Sequence, residues 1–373
     1  MQYRSLPRVP DLALSALGFG CLRLPTLGGE PARIDEPAAA RLLHQAIEAG
    51  VSYVDTGWSY HAGESEPFVG RALRGGWRER VRLAAKLPVP AAGGEGEWER
   101  LLSERLERLG TDRLDFCLLQ GLTRDRLGVA EGGLRVLERA RALGRVGYLG
   151  FSFQGSGSEF QDLLDAYDWD LCQVPLNFLD GPQVGLEGLR QASARRVGVV
   201  AVEALRGGGL AKVPPVVAEA WLASGRSWSP AEWALRWALD QPGVVTVLSG
   251  MRSERHLREN LGASAGPLGA PDRERIEEVR RVYRTRRRIP CTSCGACQLL
   301  CTEQIQVSNI LSLYNEALFE SKADAVAEYR AAFLGPGLAG DRCSACGLCE
   351  PACPKGIPIA AKLRDAQEYL TSA

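Results

Sequence analysis

The sequence predicts a (β/α)8 barrel of the TIM-barrel class, followed by a small α-helical C-terminal domain. Short apolar, β-rich runs alternate with amphipathic helical patterns from residue 14 to about residue 262. Near-continuous apolar strands that alternate with helices are typical of a parallel sheet covered by helices. Eight such units in about 260 residues fit a closed barrel. The C-terminal quarter departs from this pattern because it carries most of the cysteines.

The strands and most of the helices can be assigned from the pattern. The predicted strands are Leu14–Phe19, Val51–Asp55, Val81–Lys86, Leu114–Leu119, Val146–Ser152, Leu171–Val174, Gly198–Val202 and Val244–Leu248. The predicted helices are Pro37–Ala49, Trp98–Leu109, Leu127–Leu143, Gly157–Tyr167, Pro182–Ala194, Pro230–Leu239 and Ser253–Leu261. An open, doubly wound sheet is the alternative. It is disfavoured because the first strand is not followed by a G-x-G-x-x-G motif, which Gly18-Phe19-Gly20 does not complete.

Length and charge limit the classes of function. The chain has 373 residues, 45% of them apolar, which is enough for one large domain and one small domain. We expect the barrel at residues 1–285 and the second domain at residues 286–373. A formal net charge of zero gives no reason to expect nucleic-acid or membrane binding. No apolar run approaches the roughly 20 residues needed to span a bilayer. No signal-peptide pattern follows Met1, so we expect a cytoplasmic protein.

Two runs of four cysteines with the same spacing define the second domain. They are Cys291, Cys294, Cys297 and Cys301, and then Cys343, Cys346, Cys349 and Cys353. This C-x-x-C-x-x-C-x-x-x-C spacing matches the bacterial ferredoxin run, in which the fourth cysteine binds the cluster of the other run. The sequence therefore predicts two [4Fe-4S] clusters in a ferredoxin-like module. Cys353 would complete the first cluster and Cys301 the second.

Two other interpretations of these cysteines are weaker. Disulfides are disfavoured in a cytosolic protein, where thiols stay reduced. Zinc sites commonly use two C-x-x-C pairs, whereas this chain has two four-cysteine runs. One departure exists, since Thr302 follows Cys301 where a proline is usual and Pro354 follows Cys353 as expected. The other three cysteines stand in apolar contexts and are expected to be buried thiols: Cys21, Cys117 and Cys172.

Polar side chains close several of the predicted strands. In a barrel of this class the active site lies at the carboxyl ends of the strands. The second, third, fourth and fifth strands end at or next to Asp55, Lys86, Gln120 and Ser152. The sixth strand contributes Gln173 and leads to Asn177, the seventh leads to Gly207, Gly208 and Gly209, and the eighth leads to Ser249, Gly250, Arg252 and Ser253. We therefore expect these groups to meet at one mouth.

Three of these segments resemble motifs of the aldo/keto reductase family. They are Asp55-Thr56-x-x-x-Tyr60, Ala85-Lys86-Leu87-Pro88, and Gly250-x-Arg252-Ser253-x-x-x-Leu257-x-Glu259-Asn260-Leu261. The resemblance covers about residues 12–265. With its cysteine-rich tail, the whole chain is similar to the iron–sulfur-fused branch of that family.

The resemblance implies catalysis by Tyr60, Lys86 and Asp55, and the chemistry can be stated independently. A carbonyl that accepts hydride needs a proton donor at its oxygen. A free tyrosine has a pKa of about 10, and a neighbouring ammonium lowers that pKa by favouring the phenolate. Lys86 would supply the ammonium and Asp55 would hold it charged. The alternative for Asp55 and Lys86 alone is a buried salt bridge that merely closes the barrel.

The fourth position of the family set departs from the pattern. The family carries histidine where this chain has Gln120, and a second family histidine is replaced by Gln154. A glutamine amide can donate an N–H but cannot relay a proton. Slow carbonyl reduction, or a substrate such as an imine or enone, is therefore expected. His61 is either an imidazole at the mouth or an exposed loop residue, and His44 is expected on a helix surface.

The predicted cofactor is NADP(H). Glycines 207 to 209 let backbone N–H groups approach a diphosphate, and the helix beginning near Ser253 points its amides toward an anion. Arg252 stands where the family binds the 2′-phosphate, which favours NADP over NAD. The resemblance places Ser152, Gln173 and Asn177 at the nicotinamide, and His256 and Asn260 at the adenine.

The predicted function is hydride transfer to a small carbonyl or related C=X substrate, with the clusters as a candidate electron relay and an electron-transfer protein as a candidate partner. The alternative is a nicotinamide-binding redox sensor or electron-transfer partner with little carbonyl turnover, in which the clusters are regulatory or structural. Arg284, Arg286, Arg287 and Arg288 form either a solvated linker or a docking patch for an acidic carrier. Between the cysteine runs, Ile305–Leu334 is expected to be helical.

Overall fold

The chain forms two compact units in the computed structural model, which describes residues 1–90, 94–153, 157–179, 185–286, 289–291, 295–317 and 322–372. The first unit comprises Met1–Ala211 and Trp228–Ala270, and the second comprises Lys212–Ser227 and Pro271–Ala373. These limits differ from residue 285, where the sequence suggests a domain boundary, and that boundary stays a prediction.

The first unit contains the expected barrel. A hairpin of β1 (Tyr3–Leu6) and β2 (Val9–Ser15) precedes it. The barrel strands are β3 (Leu17–Gly20), β4 (Tyr53–Asp55), β5 (Arg82–Pro88), β6 (Leu114–Gln120), β7 (Val146–Ser152), β8 (Leu171–Pro175), β9 (Gly198–Val202) and β10 (Val244–Ser249). Neighbours pair in parallel, and β10 closes the barrel by pairing with both β9 and β3. The prediction of a (β/α)8 barrel is confirmed.

The first predicted strand is divided in two. Leu14 and Ser15 pair antiparallel with β1, whereas Leu17 begins the barrel strand that pairs with β10. Ala16 lies at the break, where its N–H donates to the Gln2 carbonyl over 2.8 Å. One apolar run therefore serves two sheets, which its hydrophobicity alone does not reveal.

Helices follow the strands along the chain. They are α1 (Glu36–Glu48), α2 (Ser65–Ala72), α3 (Glu95–Leu109), α4 (Leu127–Ala142), α5 (Gly157–Asp165), α6 (Gly185–Ala194), α7 (Pro215–Leu222), α8 (Pro230–Leu239) and α9 (Glu254–Ala263). The sequence pattern does not reveal α2 and α7, which have eight residues each and show too little of the 3.6-residue period. The predicted start of α6 at Pro182 lies outside the described residues.

Local capping chemistry determines several helix ends. Asp35 accepts a hydrogen bond from the Ala38 N–H over 3.1 Å at the start of α1. Ser229 and Glu232 form a capping box at the start of α8. Ser253 accepts from the His256 N–H over 3.3 Å and so begins α9 at the mouth of the barrel. The α9 N-terminus is therefore set by its own sequence.

The amino end of the barrel is filled by apolar side chains. Leu6, Leu12 and Leu14 of the hairpin join a buried cluster with Tyr53 and Phe116 of the barrel strands. The Tyr53 and Phe116 ring centroids lie 5.5 Å apart. This packing plugs one end of the barrel, so a site for chemistry is left to the carboxyl end of the strands.

The second unit is helical. Besides α7 it contains α10 (Ala270–Arg286), α11 (Val307–Ala317), α12 (Lys322–Tyr329) and α13 (Ile359–Thr371). A π-helical turn over Arg330–Leu334 continues α12, so the helical character expected for residues 305–334 is found in the described part of that segment. Ile310, Tyr329 and Leu363 belong to its buried core. Within the described residues, no helix is long and apolar enough to cross a membrane.

Adjacent glycines on α4 offer a matched test of the packing between α3 and α4. A Cβ at Gly133 would overlap the buried Trp98 ring of α3, whereas a Cβ at Gly132 would meet only the Arg135 guanidinium, 3.8 Å away. Gly133→Ala should therefore lower the free energy of unfolding by about 1–3 kcal/mol through overpacking. Gly132→Ala should raise it by about 0.5–1 kcal/mol through better helix propensity. Urea unfolding of both variants measures this, and equal effects would contradict the packing.

Candidate active site

A buried ion pair joins the ends of β4 and β5. Asp55 and Lys86 are each 2% exposed. The Lys86 ammonium donates to Asp55 Oδ1 and, over 3.2 Å, to the Thr56 carbonyl. Asp55 Oδ2 accepts from Gln173 Nε2 of β8 over 2.6 Å. Burial lowers the pKa of Lys86, but the Asp55 carboxylate and the Tyr60 phenol outweigh burial and place that pKa above its ordinary value. Lys86 is therefore charged at neutral pH.

Tyr60 lies against this ion pair. Its ring centroid is 4.9 Å from Lys86 Nζ, in the turn that follows β4. Gly57 lies against the ring, since a Cβ there would be 3.1 Å from Tyr60 Cε1. The structure thus brings together Asp55, Lys86 and Tyr60, the three residues expected to carry the chemistry.

The pKa of Tyr60 departs from the expectation of a lowered value. Burial of the phenol raises that pKa, and the Lys86 ammonium offsets only part of the effect, so the pKa lies above its ordinary value. The sequence motif indicates the charge of Lys86 but not the burial of the Tyr60 phenol, and burial has the larger effect on the Tyr60 pKa. Consequently the phenol keeps its proton throughout the neutral range.

The turn carrying Tyr60 has an unusual backbone held by His61. His61 and Ala62 have φ angles of 55° and 54°, in the left-handed region that non-glycine residues rarely adopt. The His61 ring is 8% exposed, and its Nε2 accepts from the Leu24 N–H over 3.1 Å. Its Nδ1 lies 2.8 Å from the Pro31 carbonyl and donates to it. Both ring nitrogens are therefore occupied, and His61 is neither free at the mouth nor exposed.

A second buried ionic cluster, which no sequence motif indicates, anchors the same turn. Glu66 of α2 is fully buried, and its Oε2 accepts from Arg108 Nε over 2.9 Å and lies 3.3 Å from Arg105 Nε. Arg108 also donates to the Gly63 carbonyl, at the end of the Tyr60 turn. Burial raises the pKa of Glu66, against the effect of both arginines. The sequence signal for this cluster is weak: Arg105 and Arg108 are three residues apart on α3 and so lie on the same helix face.

Gln120 ends β6 beside Ser152 of β7. Its Oε1 is buried and has no hydrogen-bond partner within the part of the chain that the structure describes. Gln154, the other departure from the family pattern, lies outside the described residues.

The remaining two of the chain's three histidines are also engaged. His44 stacks on Trp77 with ring centroids 4.1 Å apart, and its Nε2 bonds the Ala72 carbonyl, so it joins elements rather than lying free on a helix surface. His256 Nδ1 accepts from the Arg252 N–H over 3.3 Å. Each imidazole thus has a structural contact.

The residues expected to bind a nicotinamide lie at or near the carboxyl ends of β7 and β8. Ser152 is half-buried, and Gln173 and Asn177 are 1% and 3% exposed. Gln173 is oriented by its bond to Asp55. Asn177 Oδ1 accepts from the Leu179 N–H over 3.0 Å, which fixes the loop after β8.

The residues expected at the phosphates and adenine follow β9 and β10. Gly207 and Gly208 have φ angles of 70° and 110°, which favour glycine. A Cβ at Gly208 would meet nothing within 4 Å, so the turn faces open space. Asn260 Nδ2 donates to Ser249 Oγ over 2.7 Å and ties α9 to β10. Gly209 and Ser253 flank this region, and the Arg252 side chain is exposed.

One residue at these loops was not foreseen. Arg23, in the turn after β3, runs across the loop after β10, because a Cβ at Gly250 would lie 3.0 Å from Arg23 Cβ. Its guanidinium ends 3.0 Å from the position that a Gly207 Cβ would take. No motif marks this arginine, whose place depends on closure of the barrel between β3 and β10.

The cysteines of the second unit line two separate recesses. Cys291, Cys297 and Cys353 line one, and Cys294 of this set lies outside the described residues. Cys301, Cys343, Cys346 and Cys349 line the other. None of the described cysteines forms a disulfide. Within the described residues, no group of three or more His, Cys, Asp or Glu side chains could hold a metal ion. A cubane places its thiolates on four separate irons, further apart than the ligands of one ion.

The three cysteines of the barrel are buried, as expected. Cys21, Cys117 and Cys172 are each fully inaccessible. Burial raises the pKa of Cys117 to about 12 and raises the pKa values of the other two thiols as well. Such thiols are poor nucleophiles and serve as apolar packing groups.

Comparisons with known proteins agree with the barrel. The family model described as "Aldo/keto reductase family" matches residues 16–215 and 216–281. An aldo-keto reductase of Mycobacterium avium is 29% identical over 280 residues, covering 74% of this chain and 91% of that protein.

Solved structures are similar over the same part of the chain. The holo form of an aldo-keto reductase from Bacillus halodurans is 26% identical with a TM-score of 0.62, covering 75% of this chain and 96% of that one. An aldo/keto reductase from Klebsiella pneumoniae in complex with NADP and acetate is 25% identical with a TM-score of 0.60, covering 73% and 92%.

Proposed function

Since the chain belongs to the aldo/keto reductase family and is an oxidoreductase of that type, we propose that it uses NADP(H) to transfer hydride to a small carbonyl or related C=X substrate. The convergence of Tyr60, Lys86 and Asp55 at the open end of the barrel carries this proposal. The relative from Klebsiella pneumoniae with NADP and acetate supports the choice of cofactor and a small substrate.

The chain's own residues would manage the proton. Bound NADPH would supply the hydride. The Tyr60 O–H gives its proton to the substrate oxygen as that oxygen gains negative charge. The Lys86 ammonium stabilises the phenolate that remains, and Asp55 keeps Lys86 charged and in place. The Gln120 amide can donate an N–H to the same oxygen but cannot supply a proton.

The nicotinamide end of the cofactor would meet side chains whose bonds are already partly used. Gln173 gives one N–H to Asp55, so its amide oxygen and second N–H would remain for the carboxamide, beside Ser152 and Asn177.

The other end would meet backbone and charge. The diphosphate would lie against the turn of Gly207, Gly208 and Gly209 and against Ser249, Gly250 and Ser253. Arg252, which is exposed, would bind the 2′-phosphate. His256 and Asn260 would border the adenine, both on α9.

We further propose that the second unit holds two [4Fe-4S] clusters. The division of the cysteines between the two recesses supports the expected ligand sets, with Cys353 joining the first run and Cys301 the second. Bound clusters would pass single electrons. An electron-transfer protein is the partner that this chemistry implies. Converting single electrons to hydride usually takes a flavin, for which the sequence carries no motif, so relay, sensing and structural roles stay separate hypotheses.

A second candidate function is a nicotinamide-binding redox sensor with little carbonyl turnover. The engagement of all three imidazoles in structural contacts favours it, together with Gln120 where the family carries histidine. A protein with a weak proton donor at the mouth of its barrel would bind the cofactor but reduce a carbonyl slowly.

Tyr60→Phe tests the main proposal. It should lower kcat for ketone reduction by about 100-fold or more, because the proton donor is lost, and leave the Kd for NADPH unchanged. Since burial raises the pKa of Tyr60 above its ordinary value, the wild-type rate should stay level through neutral pH and fall only at pH values above the ordinary tyrosine range. Tyr3→Phe, at an exposed tyrosine bonded to the Gly50 carbonyl, is the control.

The assay follows NADPH oxidation with a panel of aldehydes and ketones. Activity retained by Tyr60→Phe would contradict the proposal. If the wild type binds NADPH but oxidises it with no compound of the panel, and the Gln120→His variant is equally inactive, the sensor function is favoured.

Cys346→Ser tests the clusters. Iron and sulfide should fall from about eight to about four of each per chain, because one cubane loses a ligand. Cys172→Ser, at a buried barrel thiol, should leave the iron content unchanged. A wild-type protein prepared without oxygen that holds no iron would contradict the cluster proposal.

A further inference from the structure

Arg23 crosses two of the loops at the mouth of the barrel. Its stem lies on Gly250, since a Cβ there would be 3.0 Å from Arg23 Cβ and 3.6 Å from Cδ. Its guanidinium reaches the turn after β9, 3.0 Å from the position of a Gly207 Cβ. Because Gly207 and Gly250 have no side chains, the arginine can lie flat across both loops.

The Arg23 guanidinium has no counter-ion among the residues that the structure describes. Within the ranges that the structure describes, it makes no hydrogen bond and no ion pair, and the side chain is exposed. Other arginines of the same unit are paired, such as Arg33 with Glu30 at 3.2 Å and Arg71 with Glu36 at 2.6 Å. The N–H groups of the Arg23 guanidinium are therefore available to a ligand, while its stem is fixed by the loop at Gly250.

The chemistry of that ligand follows from the neighbours of the guanidinium. It faces the turn of Gly207 and Gly208, whose φ angles are 70° and 110°. The backbone of this turn is accessible, since a Cβ at Gly208 would meet nothing within 4 Å. Backbone amides at such a turn favour an anion, and a planar guanidinium binds phosphate oxygens through two parallel N–H bonds.

We propose that Arg23 binds the diphosphate of the nicotinamide cofactor, as the cationic group that spans the loops after β9 and β10. This rests on the proposed use of a nicotinamide cofactor. It assigns to Arg23 a role separate from that of Arg252. Arg252 would distinguish NADP from NAD, whereas Arg23 binds the part that both cofactors share.

The two roles predict different binding patterns. Arg23→Gln should weaken NADPH, NADH and ADP-ribose by a similar factor, roughly 10-fold or more, as for loss of a charged hydrogen bond. It should leave 2′-AMP unaffected, because that fragment lacks the diphosphate. Arg252→Gln should instead weaken NADPH and 2′-AMP and spare NADH and ADP-ribose.

Isothermal titration calorimetry of the full chain with these four ligands is the experiment. Arg23→Lys should recover part of the affinity for ADP-ribose, since it keeps the charge without the planar fork. Arg33→Gln, an exposed arginine of the same segment, should bind all four ligands as the wild type does. Raising the salt concentration should weaken ADP-ribose binding more in the wild type than in Arg23→Gln.

The outcomes separate the inference from the function on which it rests. If the wild type binds NADPH and Arg23→Gln binds ADP-ribose within twofold of the wild type, the role of Arg23 is wrong and the proposed cofactor stands. If Arg23→Gln changes the ratio of NADPH to NADH affinity, Arg23 acts at the 2′-phosphate and the inference is overturned. If the wild type binds neither NADPH nor ADP-ribose, both proposals fall.

Discussion

The site depends on the buried ion pair between Lys86 and Asp55. Removing two charges from water is unfavourable by several kcal/mol for each ion unless their remaining hydrogen bonds are satisfied. Here Gln173 bonds the second oxygen of Asp55, and the Thr56 carbonyl accepts from Lys86. Three barrel strands are thereby joined at their carboxyl ends. The same ammonium lies against the Tyr60 ring. Lys86 therefore both neutralises the buried Asp55 carboxylate and acts on the proton donor.

The turn that carries Tyr60 is also held by buried hydrogen bonds and ion pairs, from residues next to the site. His61 and Ala62 adopt left-handed backbone angles that are unfavourable for residues with a Cβ. Two sets of contacts compensate: the His61 ring bonds to the segment after β3, and Arg108 bonds Gly63 while paired with the buried Glu66. Two buried carboxylates, those of Asp55 and Glu66, therefore act on the position of one phenol.

Much of the barrel could be predicted because its strands are nearly continuous apolar runs that end in polar residues. The same reasoning located Asp55 and Gln120, which close their strands, and Lys86, which lies two residues before the end of β5. It failed where a short element shows too little periodicity, as in α2, and where one run serves two sheets, as around Ala16. Arg23 and Glu66 gain their roles from partners far away in sequence. The direction of the Tyr60 pKa depends on the balance of burial and charge, which no motif encodes.

A double-mutant cycle of Asp55→Asn and Lys86→Met, followed by urea unfolding, tests the central role of the ion pair most directly. Each single substitution leaves one buried charge without its partner and should lower the free energy of unfolding by about 3–5 kcal/mol. The double variant leaves neither charge and should lose less than the sum of the two by several kcal/mol. Additive losses, or single losses near zero, would contradict the dependence of this site on the pair.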